Sequence, residues 1–121
     1  MIQGLLRKDN RPAIPLSIGW SLGIQKIVAI VDTGFSGEIK VSPDVANELG
    51  LTPTHIQPVL LANEEIAKVP ASLAFVVIEG EKEEVGVLVA KGVPVIGVGL
   101  LSRLGFKLTV DFKARAVSLE K

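Results

Sequence analysis

Taken only as a pattern of apolar and polar positions, the chain is a series of short alternating or continuously apolar runs broken by glycine, proline or charge. That pattern marks strands far more than helices. Residues 13–18 place Ile14, Leu16 and Ile18 on one face, and residues 19–23, with Trp20 inside them, read as a hairpin turn. The next run, Ile27-Val28-Ala29-Ile30-Val31, is apolar throughout, as a strand buried on both faces is, and it delivers Asp32 into a turn holding Gly34 and Gly37. Residues 38–41 are extended. Residues 56–61 and 66–69 predict a hairpin whose tip is Ala62-Asn63-Glu64-Glu65. Residues 71–78 and 85–89 predict two further strands, with the charged stretch 79–84 as the solvated tip between them. The late runs 95–97, 106–112 and 116–119 complete the set, and residues 1–6 form an apolar segment suited to an edge or dimer strand.

Helical signals occur twice. Residues 42–50 carry Ser42 as an N-cap, Pro43 in the first turn and Gly50 as the stop. Residues 99–104 end in Gly105, a second C-terminal signal.

At 121 residues the chain has the length of one domain, taken as residues 1–121. Hydrophobic residues make up 48% with many Val and Ile, which again favours strands. Thirteen basic and thirteen acidic residues cancel, so the charge footprint of a nucleic-acid binder is missing and a membrane-surface role has no support. The absence of Cys removes thiol chemistry and thiolate metal sites. The single His55 lies near no nucleophile elbow, so a Ser-His-Asp hydrolase is not indicated, and His55 reads as surface packing. No run is long enough for a membrane helix and residues 1–9 lack a signal-peptide core, so the expected location is cytoplasmic. Nothing suggests a metal, nucleotide or other cofactor.

The apolar strand running into Asp32-Thr33-Gly34, together with the late Val95-Ile96-Gly97 and a short helix after it, resembles retropepsin-like aspartic proteases. The likeness extends over roughly residues 13–119, and a short helix after the catalytic loop is familiar from bacterial and archaeal members. It implies a mainly β, closed-barrel acid protease fold with one or two short helices. It also implies that Asp32, Thr33 and Gly34 are catalytic, Asp32 as the acid, Thr33 as a hydroxyl bonding across a two-fold axis, and Gly34 as a point of close backbone approach. The hairpin at 56–69 becomes the flap over the substrate.

Aspartic proteases are the reference example of two carboxylates sharing one proton, since like charges about 3 Å apart cannot both ionise. One acts as base on a water, the other as acid toward the scissile carbonyl. Only one Asp here is followed by Thr-Gly; Asp9, Asp44 and Asp111 are followed by Asn, Val and Phe. The resemblance therefore implies a homodimer, with Asp32 of each chain on the symmetry axis and a peptide or protein as substrate. Asp111 reads as structural, before a closing turn.

The sequence also departs from the family. Viral members often continue Asp-Thr-Gly with Ala-Asp and place Arg after the late Gly; here those positions hold Phe35-Ser36 and Val98. Both members of that bracing pair are absent together, so no charge is stranded. Pepsin-like relatives often carry Ser directly after the Gly, where this chain has Phe35. The flap has no glycine between Leu51 and Glu79, leaving Asn63 as the residue best suited to positive φ. Candidate substrate-binding residues are Phe35, Ser36, Leu61, Ala62, Asn63 and Val95, with Val31 and Ile39 as further candidates for the cleft walls. Three functions are weighed: an aspartic endopeptidase, a catalytically weak or inactive dimeric peptide-binding module, and a structural dimerisation domain.

Overall fold

A computed structural model describes residues 1–61 and 63–121; Ala62, expected at the flap tip, lies outside the described residues. In chain order the elements are β1 (Ile2–Gln3), β2 (Leu5–Leu6), β3 (Pro12–Trp20), β4 (Gly23–Asp32), β5 (Ile39–Val41), α1 (Pro43–Leu49), β6 (His55–Leu60), β7 (Ile66–Ile78), β8 (Glu81–Val89), β9 (Val95–Gly97), α2 (Val98–Leu104), β10 (Lys107–Asp111) and β11 (Ala116–Glu120). The protein is mainly β, with two short helices among the described residues.

Six strands pair in the order β3, β4, β9, β5, β8, β7, and β7 returns to β3 through Ser17↔Val77, Ile18↔Val76 and Gly19↔Phe75. This closes a barrel, so the central strands have no free edge. β2 extends it beside β3, β6 extends it beside β7, and β1, β11 and β10 form a separate three-stranded sheet. The first segment, expected as an edge or dimer strand, thus pairs within its own chain, Ile2 opposite Leu119.

The barrel is filled by alternate residues: Ile14, Leu16 and Ile18 from β3, Ala74, Val76 and Ile78 from β7, Val85 and Val87 from β8, with Ile39, Ile96 and Leu100 fully buried. Both helices form as their signals predict. The Ser42 hydroxyl accepts from the Val45 amide at 3.3 Å, and Gly50 and Gly105 take the left-handed conformation at φ 74° and 71°.

Three expectations about strands need correction. β7 is one continuous strand through Pro70, because β6 pairs with its first half up to Ala71 and β8 with its second half from Ala71 onward. The proline therefore sits where β8 is not alongside, and its missing N–H breaks no ladder there. The charged stretch 79–84 is not a long tip: Glu79 and Gly80, at φ 55° and 75°, make a two-residue turn, and Glu81 to Glu84 pair with β7. The conformation is the primed turn that matches strand twist. Similarly Trp20 is the last residue of β3, paired with Gly23, and its ring lies 5.1 Å from that of Phe75.

Because Ile96 is fully buried between Val31 and Ile39 in neighbouring strands, Ile96→Ala is expected to cost about 2–5 kcal/mol. The exposed Val28→Ala is expected to fall within about 0.5 kcal/mol, both read from urea unfolding curves.

Candidate active site

The site is built where β4 ends. β4 and β9 run parallel in the register Ile30↔Val95, Val31↔Ile96 and Asp32↔Gly97, so the carboxylate leaves the sheet beside a residue with no side chain. A Cβ on Gly97 would run into the Gly37 carbonyl oxygen and lie 2.6 Å from the Phe35 ring and carbonyl oxygen. Only glycine lets the loop from Asp32 to Gly37 fold this close to β9.

Backbone hydrogen bonds then hold the loop. The Val98 amide donates to the Phe35 carbonyl at 2.9 Å, the Gly99 amide to the Gly37 carbonyl at 3.1 Å, and the Gly97 amide to the Glu38 carbonyl at 3.0 Å. The first amides of α2 have no partners within the helix, and these loop carbonyls supply them. Within the loop the Gly34 amide donates to Asp32 Oδ1 at 2.8 Å and the Phe35 amide to the Asp32 carbonyl at 3.1 Å. Asp32 is solvent-exposed in the single chain, as are Thr33 and Gly34.

A carboxylate–guanidinium pair ties the segment after the loop to its neighbours. Glu38 Oε2 accepts from Arg103 Nε at 2.6 Å, and Glu38 Oε1 accepts from the Gly86 amide at 3.0 Å. Arg103 also reaches the Glu84 carbonyl at 2.9 Å and stands 3.8 Å from the Glu83 carboxylate. The hydrogen bond to Glu38 raises the Arg103 pKa, with the nearby carboxylates adding to it. One side chain thereby ties α2 to β8 and to the segment following the Asp32 loop.

A groove of about 310 Å³ opens beside Asp32, lined by Gly34, Phe35, Val95, Leu88 and Ala90 below and by Val59, Leu60, Leu61 and Val69 of the β6–β7 hairpin above. Lys40 completes it. The structure thus brings Asp32, Gly34, Phe35, Leu61 and Val95 to one groove, while Thr33, Ser36 and Asn63 do not line it. Val31 and Ile39, expected in the walls, are 5% and 0% exposed and belong to the core, because they alternate with the groove-facing positions of their strands. At the hairpin tip Glu64, not Asn63, takes positive φ, 67°; Asn63 instead accepts from the Glu65 amide at 3.1 Å. Lys40, Leu88, Ala90, Val59, Leu60 and Val69 were missed by sequence reasoning; strand alternation on β5 and β8 was the signal that could have found the first two.

Two residues weighed as structural are placed so. Asp111 accepts from the Ala114 amide at 3.0 Å in the last turn, and His55 Nδ1 lies 2.9 Å from the Thr54 hydroxyl on the surface. Among the described residues no cluster of His, Asp and Glu could hold a metal ion, and no helix is long and apolar enough to cross a membrane.

Solved structures carry the same architecture. A retropepsin-like aspartic protease from Rickettsia conorii superposes with a TM-score of 0.64 at 26% identity, over 98% of this chain and 88% of the other. This is a retropepsin-like fold. The EIAV protease, solved with the inhibitor HBY-793, matches at a TM-score of 0.62 and 18% identity, over 86% of this chain and 97% of its own. No family model and no curated protein matches the sequence. The Rickettsia conorii structure that this fold resembles is an aspartic protease, a class of hydrolases.

The two oxygens of Glu38 make unequal contributions to this frame. Glu38→Ala leaves the half-buried Gly86 amide without its acceptor and is expected to cost about 1–3 kcal/mol. Arg103→Met removes a solvent-screened ion pair and is expected to cost under about 1 kcal/mol. Unfolding midpoints of the two variants check the order.

Proposed function

We propose that residues 1–121 form one retropepsin-like domain that acts as an aspartic endopeptidase, assembled as a homodimer with one Asp32-Thr33-Gly34 from each subunit. The observation that carries this reading is the exposed Asp32 carboxylate at the mouth of an apolar groove, beside Gly97 and under a hairpin. One carboxylate cannot be base and acid in the same step, and among the described residues no other Asp or Glu lines that groove. A two-fold that brings the exposed loops of two copies together supplies the second.

In such a dimer the two Asp32 side chains share one proton. The ionised carboxylate takes a proton from a water held between them, and the resulting hydroxide adds to the scissile carbonyl carbon. The protonated partner donates to the carbonyl oxygen, giving a tetrahedral diol that collapses to acid and amine as the nitrogen is protonated. Thr33 donates across the axis to the partner loop, and Gly34 holds Asp32 Oδ1 through its amide. Phe35, Leu61 and Val95 contact substrate side chains, and the β6–β7 hairpin lies over an extended peptide in the groove.

One feature favours a second reading, a dimeric peptide-binding module without turnover. The hairpin bends through Glu64 in the left-handed region, a conformation that costs a non-glycine residue about 1 kcal/mol or more, and it has no glycine on which to swing.

Peptide cleavage separates the two. The endopeptidase reading expects cleavage between acid and neutral pH that pepstatin blocks, and Asp32→Asn is expected to lower kcat/KM by about 10²–10⁴-fold while the dimer persists in sedimentation. Peptide binding without cleavage by the unsubstituted protein favours the module.

A further inference from the structure

We propose that Lys40 selects an acidic side chain in the substrate, within two residues of the scissile bond. This specificity rests on the endopeptidase reading of the groove. Among the described residues lining it, Lys40 is the only charged one apart from Asp32; the other nine are apolar or glycine.

The strand register sets its place. Lys40 lies opposite Val95 on β9 and opposite Leu88 on β8, and both of those neighbours face the groove. Val95 precedes by two residues the Gly97 that pairs with Asp32. Two residues of strand span about 7 Å, the same distance that separates alternate side chains of an extended peptide. A peptide lying along the groove with its scissile bond at Asp32 therefore brings a side chain within two residues of the bond to Lys40. The two-fold repeats the arrangement on the other side.

The ammonium is positioned but not neutralised. Lys40 is half-buried, and its Nζ donates to the Lys91 carbonyl at 3.0 Å, which uses one of three donors. Gly92, at φ 114°, keeps that side open: a Cβ there would come within 3.0 Å of Nζ. Among the described residues Lys40 makes no ion pair; neither Asp32 nor the hairpin carboxylates of Glu64 and Glu65 reach it. A partly desolvated cation with two free donors in an apolar groove binds a carboxylate better than an amide of the same shape.

The test digests a random decapeptide pool with the purified dimer and reads the cut sites by mass spectrometry, followed by matched peptides that differ only as Glu or Gln at the enriched position. Expected are enrichment of Asp and Glu within two residues of the cut and a kcat/KM ratio of about ten for Glu over Gln. Lys40→Arg should keep that ratio, Lys40→Met should bring it near one, and Lys40→Glu should turn the preference toward basic residues. Cleavage with no acidic enrichment, or an undiminished ratio in Lys40→Met, overturns the proposal. If the unsubstituted protein cuts nothing, the endopeptidase reading fails separately. Lys40 is then judged by which pool peptides immobilised Asp32→Asn protein retains: acidic peptides lost on adding Lys40→Met support the selectivity, and no acidic bias overturns it.

Discussion

The structure depends on how closely the backbone after Asp32 approaches β9 and the start of α2. Gly97 and Gly99 leave no room for a Cβ there, the Phe35 and Gly37 carbonyls take the first amides of α2, and Ile96, just before Gly97, is sealed in the barrel. The loop has few alternatives, since moving away would leave these half-buried carbonyls and amides unpaired together. These contacts place the Asp32 carboxylate at the end of a central strand, beside Gly97.

The groove's composition follows from the same sheet. Closing the barrel turns every second residue of β4, β5, β8 and β9 inward, and at the open end the outward residues Val95, Lys40, Leu88 and Ala90 become the floor beneath the β6–β7 hairpin. The groove floor and the packed core therefore lie on opposite faces of the same strands. The frame is also held by the Arg103 and Glu38 contacts between α2, β8 and the segment after the Asp32 loop. Leu60 and Ile66, about 70% exposed at the hairpin, are apolar side chains with nothing beneath them in one chain. They are suited to meeting a peptide or a second hairpin.

Much of this was legible in the sequence, for identifiable reasons. The strand into Asp32, the parallel partner Val95-Ile96-Gly97 and both helices carry strong local signals: continuous apolar runs, Ser42 and Pro43 at one helix start, glycines at both ends. The charged residues of β8 hid a strand because their side chains point to solvent while Glu79-Gly80 alone makes the turn. Pro70 hid the continuity of β7, since only the staggered pairing with β6 and β8 makes a proline harmless there. Lys40 and Glu38 were silent, because a charge acquires a role only from what the fold sets opposite it. Val31 and Ile39 went the other way: apolar character does not say which face of a strand is the core.

The central claim is that one functional unit takes an Asp32 from each of two copies, and subunit mixing tests it most directly. Unsubstituted protein is equilibrated with a ninefold excess of Asp32→Asn chain at fixed total concentration, and cleavage is measured per unsubstituted subunit. If the site is shared across a two-fold, most unsubstituted chains are captured in mixed dimers and the specific activity falls to about a tenth. If it stays unchanged, each chain works alone and the account of a shared carboxylate pair is wrong.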